Sequence, residues 1–124
     1  LAHTQITGQL SSLSGMTKVR ELNLHHTKIT GDFTGLEGLT NLQYLYLYST
    51  ALNGDLSSLS ALHKMRNLYL YYTETTGDIS ALSGMTDMRR LYLFNTKVTG
   101  DLSSLLGLIN MEYLKVNNTS VFGE

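Results

Sequence analysis

The residues of this chain that could do chemistry recur in columns. His3 and His26 stand 23 positions apart and His25 adjoins them, so a repeating fold would bring three imidazoles together as a candidate metal site. No carboxylate has a place among them, and no metal is expected; His63 stands alone and reads as a surface residue. Asp32, Asp55, Asp78 and Asp101, extended by Glu124, keep the same interval and could trap Ca²⁺ between turns. Each Asp, however, follows a Gly and precedes a segment such as Leu56-Ser57-Ser58. A side-chain oxygen there caps free backbone amides, and capping is the preferred reading. Thr7, Thr30, Asn53, Thr76 and Thr99 form a row like the regular hydroxyl arrays that match ice, but Asn53 interrupts it. There is no nucleophile elbow, phosphate-binding loop or metalloprotease motif. The carboxylates repeat as architecture requires, so the chain reads as non-catalytic, with no cofactor. Asn117 and Asn118 open two overlapping glycosylation sequons, which matter only in a secreted chain.

The aromatic residues carry the strongest signal. Three columns alternate with Leu: Glu21, Tyr44, Asn67, Arg90 and Tyr113; Asn23, Tyr46, Tyr69, Tyr92 and Lys115; His25, Tyr48, Tyr71, Phe94 and Asn117. Beside them run His26, Ser49, Tyr72, Asn95 and Asn118, with Arg20, Gln43, Arg66, Arg89 and Glu112 on the other margin. All eight tyrosines therefore fall on one face or its rim. Tyr suits strands, and stacked rings support neighbouring strands by roughly 0.2–1 kcal/mol per pair. Propensity alone would accept Val, Ile or Thr equally. The choice of rings with polar tips, among Arg, His and Asn, is paratope-like, giving rigid contact area with adaptable hydrogen bonds. The candidate ligand-binding residues are Tyr44, Tyr46, Tyr48, Tyr69, Tyr71, Tyr72, Tyr92 and Phe94, edged by Arg66, Arg90 and His25. Such a face offers several hundred Å², near the lower end of the roughly 800 Å² that each partner contributes to a standard interface. A protein, peptide or glycan ligand fits it.

These columns require an element that repeats every 23 residues. Thr27, Thr50, Thr73, Thr96 and Thr119 keep that step, as do Gly31, Gly54, Gly77 and Gly100. So do apolar columns, including Leu22, Leu45, Leu68, Leu91 and Leu114, and Leu13, Leu36, Leu59, Leu82 and Leu105. The column Ile29, Leu52, Thr75, Val98 and Val121 has one polar member. Within a unit, Leu42 to Leu47 alternates inward Leu with outward polar or aromatic residues, the period of a half-buried strand. That predicts one strand per repeat. The segment from Asn53 to Leu62 spaces its apolar residues at three, with Gly54 expected at a positive-φ turn and Asp55 capping a short helical turn. A single unit cannot bury its own apolar edge. Stacked about 4.8 Å apart, neighbouring units join these columns into one core.

Val19, Leu22, Leu24, Thr27 and Ile29 resemble the leucine-rich repeat signature L-x-x-L-x-L-x-x-N/C-x-L, with Thr in place of Asn or Cys. The resemblance covers essentially the whole chain. It implies an α/β solenoid, with one short parallel strand per repeat on a concave face and turns and short helical segments on the convex side. Thr27-Lys28-Ile29-Thr30-Gly31-Asp32-Phe33 is similar to the plant-type subclass found in receptor ectodomains, without its Pro. The family's Asn satisfies backbone groups between turns, a task the Thr column is expected to take over more weakly. Residues 1–124 read as a single domain of about five repeats with no evident terminal caps. Uncapped ends suggest either an excerpt of a longer repeat array or the alternative to ligand recognition, end-to-end self-association into a scaffold or fibre.

Bulk properties narrow the classes further. Nine Lys and Arg against ten Asp and Glu leave little net field, which argues against nucleic acid. The apolar runs are too short to insert in a membrane. The absence of Cys removes disulfides and thiolate chemistry and leaves the compartment open, with the receptor-like resemblance leaning toward the extracellular side or cell surface.

Overall fold

The computed structural model describes residues 7–123. The chain coils through successive 23-residue turns whose strands stack in parallel. The main sheet contains β2 (Glu21–Asn23), β4 (Tyr44–Tyr46), β5 (Asn67–Tyr69), β7 (Arg90–Tyr92) and β9 (Tyr113–Lys115), in that spatial order. Its register follows the sequence period without a slip. Leu22 pairs with Leu45, Leu45 with Leu68, Leu68 with Leu91 and Leu91 with Leu114. Each inward Leu thereby meets a Leu, and a slip by one residue would turn every Leu outward. The named strands have three residues, shorter than the alternating segment, but the ladder continues past them. The amides of Leu24, Leu47 and Leu70 donate to the carbonyls of Tyr46, Tyr69 and Tyr92 at 2.9–3.0 Å.

A second set of strands adds to the single strand per repeat that the alternation predicts. These are β1 (Thr7–Gln9), β3 (Lys28–Thr30), β6 (Thr76–Asp78), β8 (Lys97–Asp101) and β10 (Ser120–Phe122). They form a pair, β1 with β3, and a three-stranded sheet, β6, β8 and β10. Between them the turn containing Gly54 has only an isolated bridge, Asp55 to Thr76. These segments carry too few apolar residues to read as an alternation: β3, β8 and β10 have one each inside, Ile29, Val98 and Val121, and β1 and β6 have a Gly at the centre.

Short 3₁₀ turns close each coil, at Leu10–Leu13, Thr34–Leu36, Leu56–Leu59, Ile79–Leu82 and Leu102–Leu105. The Asp column explains where they begin. Asp55, Asp78 and Asp101 accept hydrogen bonds from the amides of Ser57, Ser80 and Ser103 at 2.8–2.9 Å. Asp32 accepts from both the amide and the hydroxyl of Thr34, and these bonds, the hydroxyl's foremost, hold its carboxyl below the usual carboxylate range. The capping role is thus the observed one for Asp55, Asp78 and Asp101, whereas the turn at Thr34–Leu36 starts after Phe33 and Asp32 bonds its first residue from one position further back. Glu124 lies outside the described residues.

Gly54 departs from expectation. Gly31, Gly77 and Gly100 have φ of +101° to +118°, whereas Gly54 is not in the left-handed region. It is required for a different reason: a Cβ built there would lie 2.3–2.7 Å from three ring carbons of Phe33, which is fully buried. Phe33 is the one ring in a column otherwise made by Leu10, Leu56, Ile79 and Leu102, and its bulk occupies the space of the next turn's side chain.

The core is the set of inward Leu, Ile, Met and Val columns. Thr75 sits fully buried among them, its hydroxyl 2.7 Å from that of Thr73. Thr73 in turn donates to the Leu70 carbonyl, and Thr27, Thr50 and Thr96 bond Leu24, Leu47 and Leu93 in the same way. The Thr column therefore satisfies carbonyls three residues back in its own turn, not between turns as the comparison with Asn suggested. Among the described residues no helix is long and apolar enough to cross a membrane.

Candidate binding face

The five-stranded sheet buries its Leu side, so the residues between the Leu anchors stand outward. Stacking at strand spacing then places equivalent side chains a few ångströms apart. His25, Tyr48, Tyr71 and Phe94 form a continuous stack: successive ring centroids are 4.4 Å apart and the planes differ by 8–12°. The next column is less regular. Tyr69 stacks on Tyr92 at 4.4 Å and 12°, whereas Tyr46 meets Tyr69 at 4.7 Å and 57°. Asn67 accounts for the tilt, donating its side-chain amide to the Tyr46 hydroxyl at 3.1 Å. The two columns also touch each other, with Tyr69 and Tyr71 centroids 6.2 Å apart. Packed rings exclude water from one another. Burial, with repulsion from Tyr48 next, pushes the Tyr71 phenol up to about 12. Tyr46 and Tyr92 are also raised, with burial the leading cause in each.

At one margin a shallow cleft of about 280 Å³ is lined by Tyr44, Arg66, Asn67, Arg89, Arg90 and Glu112. Arg90 lies over the Tyr113 ring at 5.1 Å, and a hydrogen bond with Tyr69 raises its already high pKa. Arg89 and Glu112 approach to 3.8 Å, both half-exposed. At the opposite margin the chain leaves each strand through a left-handed residue: His26, Ser49, Tyr72, Asn95 and Asn118 all have φ of 55–57°. Asn accepts this conformation readily, and Asn118 donates to the Asn95 side chain at 2.7 Å. Tyr72 does not share that ease. Its ring is 56% exposed and meets Tyr71 and Phe94 edge-on at 5.8 and 5.7 Å, forming a wall beside the main stack.

Every candidate residue read from the sequence lies on this surface. Tyr44, Arg66 and Arg90 occupy the cleft margin, Tyr46, Tyr69 and Tyr92 the middle, His25, Tyr48, Tyr71 and Phe94 the long stack, and Tyr72 the rim. Two features escaped the sequence reading. Lys115 caps the stack at 5.1 Å from the Tyr92 ring, a place its membership of the Tyr46 column already signalled. The left-handed column carried no such signal, since His, Ser and Tyr are unusual there. Of the histidines considered for a metal, His3 lies outside the described residues. His25 and His26 meet edge-on at 5.3 Å, and His25 also bonds Asn23 and stacks on Tyr48. No group of three metal-binding side chains occurs among the described residues.

The fold and this face define a class. The family model described as leucine-rich repeats, in two copies, matches residues 17–62. Among solved structures, internalin C2 of Listeria monocytogenes is 27% identical with a TM-score of 0.79, over 92% of this chain and 49% of that one. The ectodomain of the receptor kinase SOBIR1 from Arabidopsis thaliana is 16% identical with a TM-score of 0.86, over 95% of this chain and 66% of that one. The Arabidopsis receptor kinase HAESA, solved with the peptide hormone IDA and the co-receptor SERK1, is 21% identical with a TM-score of 0.86. There the match covers 98% of this chain and 21% of that one. No curated protein matches this chain by sequence. The chain thus has the leucine-rich repeat solenoid fold, and residues 17–62 match the family's own model. It spans about half the length of the internalin C2 chain and a third of the length of internalin F, the two Listeria structures it resembles.

Proposed function

We propose that this chain is a non-catalytic binding module that recognises a protein or peptide through its Tyr-rich five-stranded face. The observation that carries the reading is the two-column ring stack. The buried Leu ladder already holds the strands in register, so the outward rings are not needed to define the fold. They form instead a rigid, amphipathic surface whose side-chain entropy is largely lost before any ligand arrives, which favours binding. The peptide hormone held by a neighbour of the same fold lends the reading further support. Panning a phage-displayed peptide library on the immobilised chain tests it. Tyr46→Ala, Tyr69→Ala and Tyr71→Ala combined should abolish capture of the enriched peptides while the far-ultraviolet dichroism is unchanged; undiminished capture refutes the assignment.

One observation favours self-association as a second reading. Leu106 and Ile109 stand in outward columns that are otherwise Ser14, Glu37, Ser60 and Ser83, and Thr17, Thr40, His63 and Thr86. They are 79% and 86% exposed. If they join copies, light scattering after size exclusion will show concentration-dependent association that Leu106→Ser with Ile109→Thr removes. A stable monomer rejects it.

A further inference from the structure

The ring stack constrains what the face can hold. A ring offers a ligand either its electron-rich face or its electropositive edge. Sugars and cations are bound on faces, as are basic side chains. In the long stack, Tyr48 lies between His25 and Tyr71, and Tyr71 between Tyr48 and Phe94, all nearly parallel. Tyr92 has Tyr69 against one side and Lys115 over its ring. The faces of these rings are taken up by their own neighbours. What they turn outward is C–H edge and phenolic O–H, both suited to acceptor oxygens.

Charge is distributed to the same end. The chain has ten acidic residues against nine Lys and Arg, yet the outward strand positions and their margin carry Arg20, Arg66, Arg89, Arg90 and Lys115 against only Glu21 and Glu112. Most of the carboxylates lie elsewhere, four of them as the Asp column at the turns. Arg66, Arg89 and Arg90 converge on one cleft beside Tyr44, where Glu112 is the one carboxylate lining it.

We infer that the ligand is an acidic, extended polypeptide segment, its carboxylates set against the Arg66–Arg90 cleft and its backbone carbonyls along the hydroxyl-bearing edges of the Tyr46–Tyr69 and Tyr48–Tyr71 rows. This rests on the face being the binding surface and adds the chemistry of what it binds. A neutral glycan lacks the charge and finds no open face on Tyr48, Tyr71 or Tyr92, and a basic segment meets like charge.

Random peptides displayed on phage, panned on the chain at physiological ionic strength, provide the test, with an array of neutral oligosaccharides in parallel. Enriched peptides should be net negative, and their binding should weaken as salt is raised. Arg66→Glu with Arg90→Glu should weaken a representative acidic peptide on the order of tenfold, and panning on that variant should enrich basic sequences instead. Neutral or basic peptides, or neutral oligosaccharides, captured in a manner lost on the triple Tyr→Ala variant would overturn the acidic assignment and leave the face intact. Peptides indifferent to the Tyr substitutions, or no enrichment at all, would overturn both.

Discussion

Gly54→Ala is the sharpest probe of how these turns interlock. The new methyl would sit 2.3–2.7 Å from Cγ, Cδ2 and Cδ1 of Phe33, well inside the roughly 3.5–4.0 Å contact distance of carbon atoms. The ring is fully buried beneath Leu columns and has no solvent to swing into. Overpacking of this kind costs about 1–3 kcal/mol. Phe33→Leu substitutes the side chain found at Leu10, Leu56 and Leu102; alone it leaves a small void and costs about 1 kcal/mol. Together the substitutions should fit, because the void left by the ring is where the methyl goes. The coupling energy should then be about 1–2 kcal/mol in the favourable direction. Urea unfolding of the four proteins followed by far-ultraviolet dichroism measures it. Gly77→Ala is the control: its φ of +105° and the Asp55 oxygen 2.4 Å from the new Cβ make it destabilising in a way Phe33→Leu cannot relieve. A Gly54→Ala protein as stable as the parent, or strictly additive effects, would refute the interlock.

Tyr72→Asn should raise stability by about 0.5–1 kcal/mol, because Asn tolerates φ of 56° and the lost ring is mostly exposed, while weakening peptide capture on the ring face. Lower stability in urea would show that Tyr72 contributes more to packing than its left-handed backbone costs. Thr75→Val should be neutral or stabilising by up to about 1 kcal/mol, since Thr73 keeps its own bond to the Leu70 carbonyl and no polar atom is orphaned. A clear loss of stability would mean that the hydroxyl pair orders the turn. The Tyr71 phenol is raised from 10.0 to about 12, so the folded chain holds that proton more tightly than the unfolded chain does. The stability this confers is complete below pH 10 and is lost as pH rises through about 12. Thermal unfolding across that window should fall less steeply for Tyr71→Phe, and identical slopes would contradict the burial of the ring.

Much of the architecture was legible because a 23-residue period is a long-range constraint written in local terms. Leu22, Leu45 and Leu68 must share a face and a spacing, and only a stacked coil gives them both. The Asp column could likewise be assigned to capping from its position between Gly and the Leu-Ser segments. Gly54 was misread because its column is otherwise left-handed, and nothing along the chain shows that Phe33, 21 residues away, fills the space above it. The second strands were hidden for a similar reason: segments such as Thr76–Asp78 have no clean apolar alternation, and their pairing comes from the stacking that the main sheet imposes.

The sequence by itself determined which side chains stand on the exposed sheet face, because strand alternation and the repeat leave no freedom in that choice. Only the tertiary structure decided what those side chains offer. The nearly parallel stacking of Tyr48 on Tyr71, the tilt of Tyr46 beneath Asn67 and the placing of Lys115 over Tyr92 follow from distances between turns. Those distances turn a column of rings from a set of open aromatic faces into a row of edges and hydroxyls.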